Sequence, residues 1–202
     1  MKLRYSPASP YVRKVMIVAY EGGLADRIEK VTTAVVPVKA NDELKAENPL
    51  VKVPALTTDD GETLYDSPVI CEYLDTQFGV GRLLPGKGDE RFLVLTRAAL
   101  ADGLLDAGLL VRHERLRPAQ QQSQDWIAWQ LGKVLAALDA LERDAAALEG
   151  DLDLGKIGVG CALGYLPLRV AEANDPARWP RLGRWSMKLF ERPSFARTMP
   201  QL

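Results

Sequence analysis

Lys2-Leu3-Arg4-Tyr5-Ser6-Pro7-Ala8-Ser9-Pro10-Tyr11-Val12-Arg13-Lys14-Val15-Met16-Ile17-Val18-Ala19-Tyr20-Glu21-Gly22-Gly23 is the stretch on which the fold turns. Lys2 to Tyr5 reads as a short strand, stopped by Ser6-Pro7-Ala8-Ser9-Pro10. From Tyr11 the apolar residues Val12, Val15, Met16, Val18 and Ala19 recur at helical spacing, and Gly22-Gly23 ends the run. Ser9 ahead of Pro10 is a good helix start, with serine as N-cap and proline at the first helical position.

Outward from this stretch, a second strand is expected near Ile28 to Val31, which completes a βαβ unit. A polar segment from Lys39 to Asn48 follows, then Val53-Pro54-Ala55-Leu56-Thr57 as a third short strand. Asp59-Asp60-Gly61 turns the chain into Thr63-Leu64-Tyr65, so these strands form a hairpin. Asp66-Ser67-Pro68 opens a helix carrying Val69, Ile70, Tyr73, Leu74 and Phe78. The order βαβ–α–ββα is that of a thioredoxin-like domain. Gly79, Gly81, Pro85, Gly86 and Gly88 mark a linker. Beyond it, helical patterns run over 91–117, 121–148, 154–171 and 181–192. The expected architecture is therefore α+β: a thioredoxin-like domain at 1–79, a linker at 80–89, and an all-helical bundle domain at 90–202.

Composition narrows the function classes. The 202 residues include 26 basic and 27 acidic side chains, a formal net charge of -1. Such a balance leaves no electrostatic footprint for nucleic acid and no polybasic membrane segment. No run approaches ~18 apolar residues, so no membrane span is expected. Met1 to Tyr5 lacks the apolar core of a signal peptide, and cytoplasmic localisation is expected. Cys71 and Cys161 sit in apolar, helix-like runs and read as buried free thiols.

Three local signals resemble the glutathione transferase family: Ser9-Pro10 after the first strand, Val53-Pro54 opening the third, and Asp66-Ser67 opening the third helix. Ser-Pro-Tyr-Val-Arg-Lys at 9–14 and Ala-Asp-Gly-Leu-Leu-Asp-Ala-Gly at 101–108 look like a bacterial serine-type branch. Each motif alone is weak; in this order and at these separations they are strong. The resemblance covers essentially the whole chain. It implies a transferase that joins the thiolate of reduced glutathione, its co-substrate, to a small electrophile. It also implies a homodimer across the third and fourth helices, a role in detoxification, and no metal.

The chemistry that resemblance implies sets a requirement. A thiol of pKa ~8.5 is only about 3% ionised at pH 7, and lowering it by two units raises the thiolate to roughly three quarters. That shift needs about 2.7 kcal/mol of preferential stabilisation of the anion. One hydrogen bond to a charged group contributes ~1.5–3 kcal/mol and a helix N-terminus ~0.3–1. Ser9 is the candidate activating residue, with Ser6 and Tyr5 as fallbacks. A purely structural role for Ser9 as a helix cap stays open. No cysteine lies in this loop, which argues against thiol–disulfide exchange.

The resemblance also implies a cis Val53–Pro54 bond that presents the Val53 backbone to the cysteinyl part of glutathione. Ser67 as N-cap before Pro68, with Asp66, suits the γ-glutamyl end. Lys39 and Lys52 are candidates for the glycyl carboxylate. For the acceptor, the candidates are Tyr11 and, on the first long helix of the second domain, Asp102, Asp106 and Arg112. His113 has no partners at metal-ligand spacing. Trp126 and Trp129 are expected in the core. The small residues from Gly155 to Gly164 suggest close helix approach. Asp153 is expected to cap that helix, with Lys156 set against its dipole. The alternative function is a non-catalytic glutathione-binding or protein-interaction module of the same fold. A glutathione-dependent isomerase or dehalogenase is a third, although the Ser-Pro-Ala-Ser-Pro loop does not match the expected isomerase loop.

Overall fold

The computed structural model describes residues 1–77 and 83–200. Phe78, Gly79 and Gly81, singled out above, lie outside the described residues, as does part of the expected linker. The chain divides into two compact units, Met1–Arg91 with the residues from Ser194 onward, and Phe92–Pro193.

In the first unit, strand β1 (Lys2–Tyr5) pairs in parallel with β2 (Glu29–Thr32) and antiparallel with β3 (Ala55–Thr57), which pairs antiparallel with β4 (Thr63–Leu64). The order of the four-stranded sheet is β2-β1-β3-β4. Helix α1 (Pro10–Glu21) makes the parallel crossover and packs against α3 (Ser67–Gln77). Val12, Val15, Met16 and Val18 of α1, Ile70 and Leu74 of α3, and Leu3 and Leu56 of the sheet are buried together as the core side chains of this unit. Gly23 at φ +68° ends α1, and the N–H of Leu24 returns to the carbonyl of Ala19 at 2.7 Å. Only a residue without a Cβ adopts that left-handed turn cheaply.

A short helix, α2 (Asp42–Glu47), precedes β3. Asn41 caps it by accepting from the N–H of Leu44 at 3.0 Å. Arg4 on β1 is buried, and its guanidinium grips α2 through Glu43 and Glu47, with Nε donating to Glu47 Oε2 at 2.8 Å. Near the end of α3, Asp75 is fully buried and accepts from the backbone N–H groups of Leu83 and Leu84 at 3.2 and 2.9 Å.

The second unit is built around α4 (Asp89–Arg115, from Phe92 on), α5 (Gln124–Arg143), α6 (Leu154–Tyr165) and α7 (Pro180–Phe190). The expected 121–148 helix resolves into α5 and a 3-10 turn at Ala145–Leu148. Likewise 154–171 resolves into α6 and 3-10 turns at Leu166–Leu168 and Ala171–Ala173. Asp153 caps α6 by accepting from the N–H of Lys156 at 2.8 Å. Lys156 is not a liability there: its ammonium donates to the carbonyls of Glu149 and Asp151 and lies 3.6 Å from the Asp153 carboxylate. A positive charge so compensated adds little to the helix's own positive end. Small residues do bring α4 and α6 together, for a Cβ on Gly155 would stand 2.8 Å from the Val94 carbonyl oxygen.

One core expectation fails. Trp126 and Trp129 are 43% and 66% exposed. The buried stripe of α5 runs through Ile127, Gln130, Val134, Leu138 and Leu141. At 3.6 residues per turn, position 126 falls beside that stripe and position 129 nearly opposite it. Cys71 and Cys161 are buried and unbridged.

Candidate functional site

Sheet register gathers the singled-out motifs at one end of the first unit. Arg4 opposes Ala55, and Leu56 opposes Leu64. The chain therefore leaves β1 at Tyr5 beside the point where it enters β3 from Pro54. It leaves β4 toward Asp66 at that same end, because β3 runs antiparallel to both neighbours. The Ser6–Pro10 loop, Val53-Pro54 and Asp66-Ser67 thus share one edge. The connection that carries Lys39 starts there as well, since β2 is parallel to β1.

Ser9 is the N-cap of α1. Its Oγ accepts from the N–H of Val12 at 3.3 Å, and its carbonyl accepts from the N–H of Arg13 at 3.0 Å. Its own N–H donates to the carbonyl of Ser6 at 3.1 Å, closing a turn over Pro7-Ala8. Capping uses the hydroxyl only as an acceptor, so its O–H can still donate. Ser9 is half-buried, and the first turn of α1 holds no acidic side chain to offset the positive helix end. The fallbacks are engaged differently: the Tyr5 ring lies 5.4 Å from the Lys30 ammonium, and Ser6 contributes its carbonyl to the turn.

The Val53–Pro54 bond is cis. The peptide before Asp66 is cis too. Helix α3 starts one residue earlier than expected. Asp66 takes the capping position, its carbonyl accepting from the N–H of Ile70 at 3.0 Å. Pro68 is tolerated one place further in because the first four N–H groups of a helix have no intrahelical partner. Asp66 is exposed, Ser67 is buried, and the first turn of α3 is free of acids.

Lys39 and Lys52 are both exposed, and each follows a valine in the left-handed region, Val38 at φ +60° and Val51 at φ +52°. A β-branched residue there is a genuine outlier that its surroundings must enforce. For Val51 the enforcing residue is Asn48, which the sequence reading missed. Asn48 is 1% exposed. Its Oδ1 accepts from Leu50 N–H at 3.0 Å, its Nδ2 donates to the Lys52 carbonyl at 2.9 Å, and its carbonyl accepts from Val51 N–H at 2.9 Å. The only signal was an Asn before Pro49, a common turn former.

Tyr11 is half-buried on the first turn of α1, with the Lys14 ammonium 5.3 Å from its ring. In the second unit Asp102 and Arg112 are half-buried and Asp106 is exposed along α4. Among the described residues, no group of three or more His, Cys, Asp or Glu side chains is placed to hold a metal ion. No helix among them is long and apolar enough to cross a membrane.

The family model for the N-terminal domain of glutathione S-transferase matches residues 8–77. Over 203 residues, 99% of this chain and 98% of the relative, the chain is 38% identical to the uncharacterized GST-like protein YibF of Escherichia coli strain K12. The chain belongs to the glutathione transferase family. Its structure superimposes with a TM-score of 0.96 on the crystal structure of a glutathione transferase family member from Pseudomonas fluorescens Pf-5 with bound glutathione. That protein is 41% identical, and the match covers 100% of this chain and 99% of that one. Another relative within the glutathione transferase matches is the maleylacetoacetate isomerase of Pseudomonas aeruginosa. It is 31% identical over 163 residues, 77% of this chain and 74% of that protein.

Proposed function

We propose that this protein is a glutathione transferase that binds reduced glutathione at the shared sheet edge of its first unit and activates its thiol through Ser9. The observation that carries this is the convergence of the Ser9 loop, Val53-Pro54 and Asp66-Ser67, from three separate segments, on one edge. In the proposed complex the Ser9 O–H donates to the sulfur while its Oγ keeps the Val12 N–H. The acid-free positive end of α1 adds to the preference for the anion. The thiolate then attacks an electrophilic carbon, forming a C–S bond. Either a leaving group departs with the displaced electron pair, or the pair moves into a conjugated carbonyl and is protonated from solvent.

Asp66 takes the glutamyl ammonium, the α3 N-terminus its carboxylate, the Val53 backbone the cysteinyl peptide, and Lys39 or Lys52 the glycyl carboxylate. The candidates for the acceptor are Tyr11 in the first unit and Asp102, Asp106 and Arg112 in the second. The glutathione bound by the Pseudomonas fluorescens relative supports the co-substrate. The isomerase relative supports a second reading, glutathione-dependent isomerisation, so maleylacetoacetate belongs in the substrate panel. A cytoplasmic homodimer completes the proposal. Exposed Val69 on α3 and exposed Phe92 and Leu93 on α4 support it, and light scattering on wild type and Phe92→Glu tests it.

Calorimetry with reduced glutathione, with thiolate absorbance followed across pH, tests the mechanism. Binding with a thiol pKa well below ~8.5 that returns toward that value in Ser9→Ala is the expected result. An unchanged pKa in the variant moves activation to Ser6 or Tyr5. Failure to bind millimolar glutathione leaves the interaction module.

A further inference from the structure

The second unit holds a polar cluster that glutathione binding leaves unused. Helix α4 meets the end of α6 at Gly108, where a Cβ would lie 2.3 Å from Cδ2 of Leu166 and 3.6 Å from Cγ2 of Val170. Immediately before these two residues in the chain stand Tyr165, the last residue of α6, and Arg169, which closes the 3-10 turn Leu166–Leu168. Arg112 lies one helical turn beyond Gly108 on the same face of α4. The packing of Gly108 on Leu166 and Val170 therefore brings Arg112 of α4 toward Tyr165 and Arg169, close enough for both charges to act on the phenol. Burial pushes the Tyr165 hydroxyl above the ordinary tyrosine value, while the charges of Arg112 and Arg169 both pull it back. Arg112 also reaches His113, whose imidazole is lowered first by burial and then by that charge.

No described carboxylate is placed to neutralise the two guanidiniums. Glu172 is committed to Arg115 at 2.6 Å. Glu114 accepts from the N–H of Ser123 at 2.8 Å and lies 3.4 Å from Arg117. Neither Arg112 nor Arg169 has an ion-pair partner among the described residues. The Nε of Arg169 is buried and makes no hydrogen bond. A buried N–H without an acceptor and two like charges without an acid are both unfavourable, and a bound anion relieves both at once.

The donor set discriminates among anions. Guanidinium forks and a phenol match the planar pair of oxygens of a carboxylate. The cluster sits at the C-terminal end of α6, whose negative dipole end disfavours a dianion. Leu166 and Val170 beside it suit an apolar body behind the acid.

We propose that Arg112, Tyr165 and Arg169 form an anion subsite in the second unit that takes the carboxylate of a small organic acid, making acidic electrophiles the acceptor class. The binding half of this proposal stands alone; the acceptor half rests on the transferase reading.

The test compares 4-nitrobenzoate with 4-nitrobenzamide by calorimetry on the full chain saturated with S-methylglutathione, which cannot react. The expected result is a preference for the acid of about tenfold or more, falling about tenfold in Arg112→Gln and in Arg169→Gln. Arg169→Lys recovers part of it, and Tyr165→Phe loses a few-fold. Equal binding of acid and amide, or a preference intact in both Gln variants, overturns the subsite. Inorganic phosphate binding more tightly than 4-nitrobenzoate overturns the carboxylate assignment. Turnover of 4-chloro-3-nitrobenzoate against 1-chloro-2,4-dinitrobenzene, each divided by its uncatalysed rate, then tests the acceptor half. A ratio favouring the acid that falls about tenfold in Arg169→Gln supports it, and a ratio unmoved by the substitution overturns it. Acid-selective binding with no turnover of either compound sinks the transferase reading and leaves the subsite standing.

Discussion

Asn48 donates from its side-chain amide to the carbonyl of Lys52, 2.9 Å away, and so holds the chain one residue short of the cis Val53–Pro54 bond. The same side chain accepts from Leu50, and the turn it makes carries Val51 in the left-handed region. Removing it leaves a part-buried carbonyl and N–H without that partner, a loss of about 1 kcal/mol. Asn48→Ala is therefore expected to lower the urea midpoint. It is also expected to weaken glutathione binding about tenfold, because the Val53 backbone is no longer preset. A destabilised variant with wild-type glutathione affinity would separate Asn48 from the site.

Arg4 and Glu47 make stability depend on pH. Their hydrogen bonds hold the Glu47 carboxyl below the usual carboxylate range and push the Arg4 guanidinium above its own. A folded-state value below the unfolded one means the pair stabilises fully above about pH 5. That contribution is lost as pH falls through the folded-state value. Glu47→Gln is expected to cost about 1–2 kcal/mol at pH 7, discounted for partial exposure. The gap from wild type should narrow as pH falls below the ordinary glutamate value. Denaturant titrations at pH 7 and pH 3.5 check this, and a gap of constant size refutes it.

Three glycines of the second unit should respond differently to alanine. At Gly155 the new Cβ would meet the Val94 carbonyl oxygen and Arg97 Cβ, both at 2.8 Å. Backbone cannot swing aside, so overpacking outweighs the gain in helix propensity, and a net loss of about 1–2 kcal/mol is expected. At Gly108 the clash is with the tip of Leu166, which can rotate, so the loss is smaller. At Gly132 on α5 nothing lies within 4 Å, and alanine should stabilise by about 0.5–1 kcal/mol. Melting temperatures in the order Gly132→Ala, wild type, Gly108→Ala, Gly155→Ala are the expected result.

Local signals made the first unit legible. Ser9-Pro10 states a helix start through two independent chemistries, a capping oxygen and a preset φ, and the structure starts α1 there. Gly22-Gly23 states its end. Asp66-Ser67-Pro68 carried the same kind of signal but misplaced the cap by one residue, because proline suits any of the first helical positions. Asn48 was illegible because its partners are backbone groups brought to it by a loop, not residues at a fixed periodicity. Trp126 and Trp129 misled because size was weighed above phase on α5. Arg169 and Tyr165 went unread since their meaning depends on the approach of α4, which only the packing at Gly108 reveals.

The residues from Ser194 onward belong to the first unit, and their contacts run the length of α1. Ser194 Oγ donates to Glu21 at the last turn of α1, at 2.5 Å. The Arg197 guanidinium lies 5.7 Å from the Tyr20 ring. Near the other end, Arg13, one turn past Ser9, donates to the Phe195 carbonyl and to Met199 Sδ at 3.3 Å, and its guanidinium lies 5.5 Å from the Phe195 ring. Phe195 is fully buried. Removing that ring should cost about 3–5 kcal/mol, the usual range for a core phenylalanine, whereas Ser194→Ala removes one hydrogen bond and about 1 kcal/mol. Arg13 loses its ring partner in Phe195→Ala, so the helix that carries Ser9 loosens with the core. The expected signature is a large drop in urea midpoint together with a bound-thiol pKa shifted toward that of free glutathione. Ser194→Ala should leave that pKa unchanged. A Phe195→Ala protein within 1 kcal/mol of wild type would show that the carboxy-terminal segment is a passive tail, with α1 held by α3 and the sheet alone.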